Sequence, residues 1–190
     1  HAVTGVVRDA AQADAVERCE VCAAIVGDVT RAEASGAVAA LVARADCVVD
    51  TLNDDAHTRR VLDAAASAGA ASQRKLRFVY TSTTLLYGAE CTDLPPTHVF
   101  GEGERPQNAA GAKRAALEQH VLSDKRVEGV ALRAAFVYGG GGGKWISAWY
   151  DDAPTVTIEG RADKRWALVH VDDLADAFVR VVEAGRRSVA

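Results

Sequence analysis

Three polar residues at or near the ends of short apolar runs could recognise a nucleotide: Arg8, Asp28 and Thr51. Arg8 directly follows the run HAVTGVV, where a guanidinium can pair bidentately with a phosphate. Asp28 follows the run AAIV through a glycine, and its carboxylate can accept a hydrogen bond from an adenine amino group. Simpler interpretations stay open, because Arg8 could be a solvated loop charge and Gly-Asp also forms ordinary turns. The residue types fit a ligand that carries phosphate and a purine base.

The apolar runs alternate with helical segments, which predicts how the chain brings their ends together. Predicted strands cover residues 1–7, 23–26, 47–52, 77–82 and 129–133, and predicted helices cover 32–44, 55–68 and 109–122. This alternation favours right-handed crossovers and a parallel sheet with helices on both faces. The sequence therefore predicts an α/β fold with a doubly wound parallel sheet, in which ligands bind at the carboxyl ends of the strands.

The regular alternation stops near a run of five glycines at residues 139–143. Beyond it, residues 155–159 and 167–171 are predicted as short strands outside the pattern. We divide the sequence into a dinucleotide-binding domain at 1–140 and the start of a substrate-binding part at 141–190.

The residue after the first strand indicates which dinucleotide is bound. In a doubly wound sheet an acidic residue there favours the ribose 2′-hydroxyl of NAD, whereas an arginine accommodates the 2′-phosphate of NADP. Arg8 therefore favours NADP, although Asp9 beside it weakens the preference and NAD stays the alternative.

Composition excludes several classes of partner. The 190 residues carry a formal net charge of −4 with scattered lysines and arginines, which argues against nucleic-acid binding. No apolar run reaches the roughly 18 residues that a membrane span needs, and the first residues do not resemble a signal peptide. We expect a cytoplasmic, single-domain protein whose partner is a small-molecule substrate, with no nucleic acid and no membrane.

The cysteines and histidines do not predict a metal site. Cys19 and Cys22 form one CxxC pair, but no second CxxC or HxxxH pair completes a set of zinc ligands. Four unevenly spaced cysteines are also too few for a disulfide framework in a chain of this size. We interpret the pair as a coincidence and assign no metal.

Three segments, in this order, carry a family resemblance: FVYTSTTLLYG from Phe78, LRAAFVYGGGG from Leu132 and HVDDLADA from His170. The chain resembles the extended short-chain dehydrogenases/reductases, also called the NAD-dependent epimerase/dehydratase family, and in particular their atypical members. The resemblance implies an NAD(P)-binding Rossmann-like fold, includes Val29 with Asp28 in the cofactor site, and leaves a homodimer open. Relatives carry a strand and a GxxGxxG turn before the segment that matches HAVTGVVR, and further substrate-binding residues after the helix predicted to start at Asp172. We therefore expect the sequence to be a fragment.

The resemblance also implies a catalytic set with one member replaced. Relatives that transfer hydride use a Ser or Thr, a Tyr and a Lys four residues after the Tyr, and the Lys lowers the pKa of the Tyr. Thr83 matches the Ser/Thr position and Lys113 the Lys position, but Ala109 stands where the Tyr is expected. Lys113 could also bind the nicotinamide ribose, or be a helix-surface lysine. Tyr87 and Tyr138 are substitute acids, or packing residues of their YG turns.

Two function classes remain open from the sequence. The first is an NADP-linked oxidoreductase or epimerase that acts on a small carbonyl, hydroxyl or sugar-nucleotide substrate through Thr83 and Lys113. The second is an inactive dinucleotide-binding sensor or partner-binding module. Substrate specificity is expected in the loop at residues 89–107, and the sequence does not decide whether substrate is turned over.

Overall fold

A computed structural model describes most of the chain in two compact units. The described residues are 2–7, 10–18, 22–26, 35–52, 54–87, 100–101, 103–104, 109–140 and 166–184. The first unit comprises His1–Phe78 and Lys125–Glu128, and the second comprises Val79–Asp124 and Gly129–Ala190. The division at residue 140 that the sequence suggested stays a prediction.

The described elements alternate between strand and helix along most of the chain. The strands are β1 (Val3–Val7), β2 (Cys22–Val26), β3 (Cys47–Asp50), β4 (Arg77–Thr83), β5 (Glu128–Ala134), β6 (Phe136–Tyr138) and β7 (Leu168–His170). The helices are α1 (Ala10–Glu17), α2 (Ser35–Val42), α3 (Asp55–Ala71), α4 (Ala109–Ser123) and α5 (Val171–Ala184), with a 3-10 helix at Thr84–Tyr87.

The strands pair as β1-β2, β3-β4-β5 and β6-β7. β1 pairs in parallel with β2 from Val3 opposite Cys22 onward, and β6 pairs in parallel with β7 from Phe136 opposite Leu168 onward. Parallel pairing with intervening helices confirms the predicted α/β class with a parallel sheet.

Helix α1, strand β6 and the 3-10 helix at Thr84–Tyr87 had not been predicted from the sequence. Helix α1, AAQADAVE, has little apolar periodicity, because most of its non-polar residues are alanines. Strand β6 is only three residues long and follows β5 after one residue. The prediction at 167–171 is confirmed as β7, whereas the prediction at 155–159 lies outside the described residues.

The core of the first unit forms around α3. Asp54 caps this helix, since its side chain accepts a hydrogen bond of 2.6 Å from the backbone N–H of His57. Val61, Leu62 and Ala65 follow the helical repeat and are buried. The capped start and the apolar stripe thus fix α3 directly after β3.

In the second unit, α4 packs at two points where only glycine fits. An ideal Cβ at Gly111 would lie 2.5 Å from the carbonyl oxygen of Leu86 in the 3-10 helix, and one at Gly129 would lie 2.3 Å from that of Val121. Leu117 and Val121 bury the same helix in the core. The first part of α4 is therefore in close backbone contact with the turn after β4, and its last part with strand β5.

Candidate functional site

Thr83 is the last residue of β4 and begins the turn that follows the strand. Its Oγ1 accepts a hydrogen bond of 3.1 Å from the backbone N–H of Leu85 and so starts the 3-10 helix at Thr84–Tyr87. A threonine hydroxyl has one proton and two lone pairs, so accepting this bond leaves its proton for donation. Thr83 is half-buried at the carboxyl end of the strand, where the sequence placed it.

Ala109 is the first residue of α4, and Lys113 lies one turn later on the same helix face. Both side chains are exposed. Gly111 stands two residues from each, about 160° around the helix axis, and it is this face that meets Leu86. The structure thus brings the turn after Thr83 against α4 and leaves Ala109 and Lys113 on the face away from that contact.

Tyr87, one of the two candidate substitute acids, is buried and hydrogen-bonded. Its hydroxyl donates to the carbonyl oxygen of Gly101 at 3.2 Å and accepts a hydrogen bond from Nη1 of Arg133. Its ring stacks on Phe100 with centroids 4.6 Å apart. The phenol proton is therefore directed to a backbone carbonyl.

Arg133 is held by Glu118, a carboxylate on α4 that is only 4% exposed. Nε of Arg133 donates to both carboxylate oxygens at 3.0 and 3.1 Å, and Nη2 donates to Oε1 at 2.6 Å. The hydrogen bonds to Glu118 raise the pKa of the guanidinium above its usual value against the opposing effect of burial, and the bond to Tyr87 adds to this. Arg133 and Glu118 form a charged, bidentate pair within the second unit.

The other described tyrosines differ in accessibility. Tyr80 is fully buried in β4, and its hydroxyl accepts a hydrogen bond of 2.5 Å from Nη1 of Arg114. Tyr138 is 45% exposed at the end of β6, and its ring meets the ring of His170 edge-on at 5.1 Å. His170 in turn accepts a hydrogen bond of 3.3 Å from the N–H of Asp172 at the start of α5.

In the first unit, Thr51 directly follows β3 and is exposed. The residue before it, Asp50, is 4% exposed, and it accepts hydrogen bonds from the N–H of Leu52 at 3.0 Å and from Thr58 at 2.6 Å. His57 lies 3.8 Å from the same carboxylate. The sequence analysis missed Asp50, although an acid at the end of an apolar run was the available signal.

The remaining predicted cofactor residues, Arg8, Asp28 and Val29, lie outside the described residues. Near the end of β4, within the described part of the chain, the buried hydroxyl oxygens of Thr81 and Ser82 have no hydrogen-bond partner. A buried hydroxyl in that state is costly without a ligand or water to bond. Ser82 stands next to Thr83 at the end of β4.

The described residues contain no group of three or more histidine, cysteine, aspartate or glutamate residues placed to hold a metal ion. None of the described helices combines the length and the apolar character needed to cross a membrane.

Residues 1–190 match the NAD dependent epimerase/dehydratase family. The chain belongs to this family. The resemblance found in its motifs is thereby confirmed. Among curated proteins, none matches the sequence significantly.

Solved structures of similar fold include sugar-nucleotide enzymes. The chain is similar to UDP-N-acetylglucosamine 4-epimerase from Bacillus cereus, with 16% identity and a TM-score of 0.64 over 96% of this chain and 64% of that one. It is also similar to the dTDP-glucose 4,6-dehydratase DesIV from Streptomyces venezuelae, solved as a double mutant with NAD and DAU, with 16% identity and a TM-score of 0.68 over 96% and 63%.

A third similar structure is MoeE5 in complex with UDP-glucose and NAD, with 18% identity and a TM-score of 0.64 over 93% of this chain and 70% of that one. At these identities the likeness shows the fold, which is the predicted Rossmann-like one. The chain spans about 64% of the length of the Bacillus cereus epimerase.

Proposed function

We propose that this chain is the dinucleotide-binding part of an NADP-linked oxidoreductase or epimerase whose substrate is a sugar nucleotide or another small carbonyl or hydroxyl compound. The observation that carries the proposal is the backbone contact between Gly111 and Leu86. This contact holds the turn that begins at Thr83 against the first part of α4, and Lys113 lies on the other face of that helix. The enzymes of similar fold named for sugar nucleotides support the substrate class.

The cofactor contacts follow from residue type and position. Arg8 would pair with the 2′-phosphate, Asp28 and Val29 would meet the adenine, and Thr51 would contact the dinucleotide beyond β3. Lys113 would hydrogen-bond the nicotinamide ribose. Bound NADP supplies the hydride acceptor or donor.

Thr83 and Lys113 would then act on the reacting oxygen of the substrate. The Thr83 hydroxyl can donate a hydrogen bond to that oxygen while its lone pair holds Leu85 N–H. The Lys113 ammonium favours negative charge nearby. Neither replaces a phenol, and the loss of general acid–base help slows turnover by about 10² to 10⁴.

A second candidate function is cofactor binding with little or no turnover, as in a sensor. The methyl group of Ala109 favours it, because a methyl group transfers no proton. The hydrogen bonds of Tyr87 to Gly101 and Arg133 favour it as well, since they argue against Tyr87 as the replacement acid.

Restoring the phenol separates the two candidates. In the complete protein, Ala109→Tyr should raise NADPH-dependent reduction by about 10² to 10⁴, because the new hydroxyl lies one helical turn from Lys113. Parent and variant are assayed side by side with aldehydes, ketones and sugar nucleotides.

The matched control is Ala116→Tyr, which places a phenol on the same exposed helix face about 10 Å further along the axis. It should leave the rate unchanged. Fast turnover by the parent that Ala109→Tyr does not alter would contradict the assignment of position 109, and a variant that binds NADPH without reducing any substrate would favour the sensor.

A further inference from the structure

We propose that Tyr87 is a positioning residue, whose hydroxyl fixes the segment of Phe100, Gly101 and Glu104 and thereby sets the affinity for substrate without taking part in proton transfer. The inference rests on the proposed function, since substrate specificity is expected in residues 89–107. Tyr87, which the sequence motif suggested as a substitute acid, thus receives a positioning role instead.

The first step is the direction of the hydrogen bonds at the phenol oxygen. A phenol carries one proton, and the proton of Tyr87 points to the Gly101 carbonyl oxygen at 3.2 Å. A lone pair of the same oxygen accepts from Arg133. Transfer of the proton to a substrate would require the bond to Gly101 to break.

The second step is the shape of the segment that Tyr87 holds. The Gly101 N–H donates to the Glu104 carboxylate at 2.6 Å, and the Glu104 N–H donates back to the Gly101 carbonyl oxygen at 3.2 Å. These two bonds close a turn, and the Tyr87 hydroxyl bonds to the carbonyl oxygen of its first residue, Gly101. The Phe100 ring, stacked 4.6 Å from the Tyr87 ring, adds an apolar anchor directly before the turn.

The third step is the support behind Tyr87. Arg133 can hold one orientation because Glu118 engages it through both carboxylate oxygens. Glu118 belongs to α4, the helix that carries Lys113. The segment is therefore connected, through Tyr87 and Arg133, to the helix that also carries Lys113.

Removing the hydroxyl alone tests the assignment. Tyr87→Phe keeps the stacked ring and deletes the bonds to Gly101 and Arg133. In the complete protein with NADP bound, amide hydrogen exchange at Gly101 and Glu104 should become about 2- to 10-fold faster, the range expected for one lost hydrogen bond. The matched control is Tyr80→Phe, which deletes another buried, arginine-bonded hydroxyl of the same unit and should leave that exchange unchanged.

Ligand titrations give the second measurement, with UDP-glucose as the probe. Tyr87→Phe should weaken UDP-glucose binding several-fold at saturating NADP and leave the affinity for NADP unchanged, a difference that general destabilisation would not produce. Unchanged exchange at Gly101 and Glu104, or equal losses for both ligands, overturns the positioning role. If the parent does not bind UDP-glucose, that substrate class fails in the proposed function, and the exchange comparison still decides the role of Tyr87.

Discussion

Asp50 is a buried carboxylate that fixes the backbone beside a residue expected to meet the cofactor. It accepts the N–H of Leu52 and the hydroxyl of Thr58, so one side chain bonds both the turn after β3 and the first part of α3. Thr51 lies between Asp50 and Leu52, and its conformation follows from theirs. Asp50, which lies outside every recognised motif, thus holds the backbone next to Thr51, which the sequence analysis predicted as a cofactor residue.

Removing the Asp50 carboxylate should destabilise the protein. Asp50→Ala leaves the fully buried Thr58 hydroxyl and the Leu52 N–H without this acceptor, which costs about 1–3 kcal/mol of the free energy of unfolding. Urea unfolding measures the change. The control Asp14→Ala, at an exposed position of α1, should change the free energy of unfolding by no more than about 0.5 kcal/mol. Similar losses of stability for both variants would mean that the buried hydrogen bonds of Asp50 do not contribute to stability.

Motif spacing predicted Thr83 and Lys113 as site residues but not the ion pair that supports Tyr87. The family pattern is local in sequence, so Thr83 could be found by counting back from Tyr87. The Arg133–Glu118 pair joins residues 15 positions apart on a strand and a helix, and nothing in the spacing marks either as a partner. Its detection needs the packing of α4 on β5, which the sequence does not display.

At the scale of elements, α4 is placed by backbone contact more than by an apolar stripe. Glycines at 111 and 129 let the helix approach the 3-10 helix and β5. Its alanine-rich sequence predicted a helix at 109–122, and the structure has one at Ala109–Ser123. Which face would be buried could not be predicted, because alanines give little contrast between the two faces.

A glycine-to-alanine pair tests this placement. In an open helix position the exchange stabilises by about 0.5–1 kcal/mol, and Gly36→Ala in α2 should do so because nothing lies within 4 Å of the added carbon. Gly111→Ala should instead destabilise by about 1–3 kcal/mol, since the Leu86 backbone would have to shift. Thermal unfolding compares the two, and a stabilised Gly111→Ala variant would show that α4 does not depend on this contact.

At the scale of the whole molecule, the α/β class and the family were predictable from the sequence. Strand and helix alternation and three ordered motifs were sufficient for both. The phosphate-binding turn that dinucleotide binding usually needs is a separate matter. The chain spans 64% of the Bacillus cereus epimerase, and its sequence contains no GxxGxxG spacing. The element that usually cradles a pyrophosphate is therefore not encoded in these residues.

The 190 residues by themselves should bind NADP weakly, with a dissociation constant well above the micromolar range. Most of the phosphate charge would lack the backbone N–H groups of a glycine turn and of the helix N-terminus behind it. Titration calorimetry decides this, with a longer version in which a strand and a GxxGxxG turn precede residue 1 as the comparison. Micromolar binding by the shorter chain would show that another segment holds the pyrophosphate.

The contact at Gly111 has an evolutionary consequence. The backbone contact at Gly111 holds α4 on one face, and the side chain at position 109 is exposed on the other. Substitutions at position 109 can therefore accumulate by genetic drift without destabilising the native fold. Under the proposed role of position 109, an active enzyme and an inactive binder of this fold would differ by one substitution that folding does not select against.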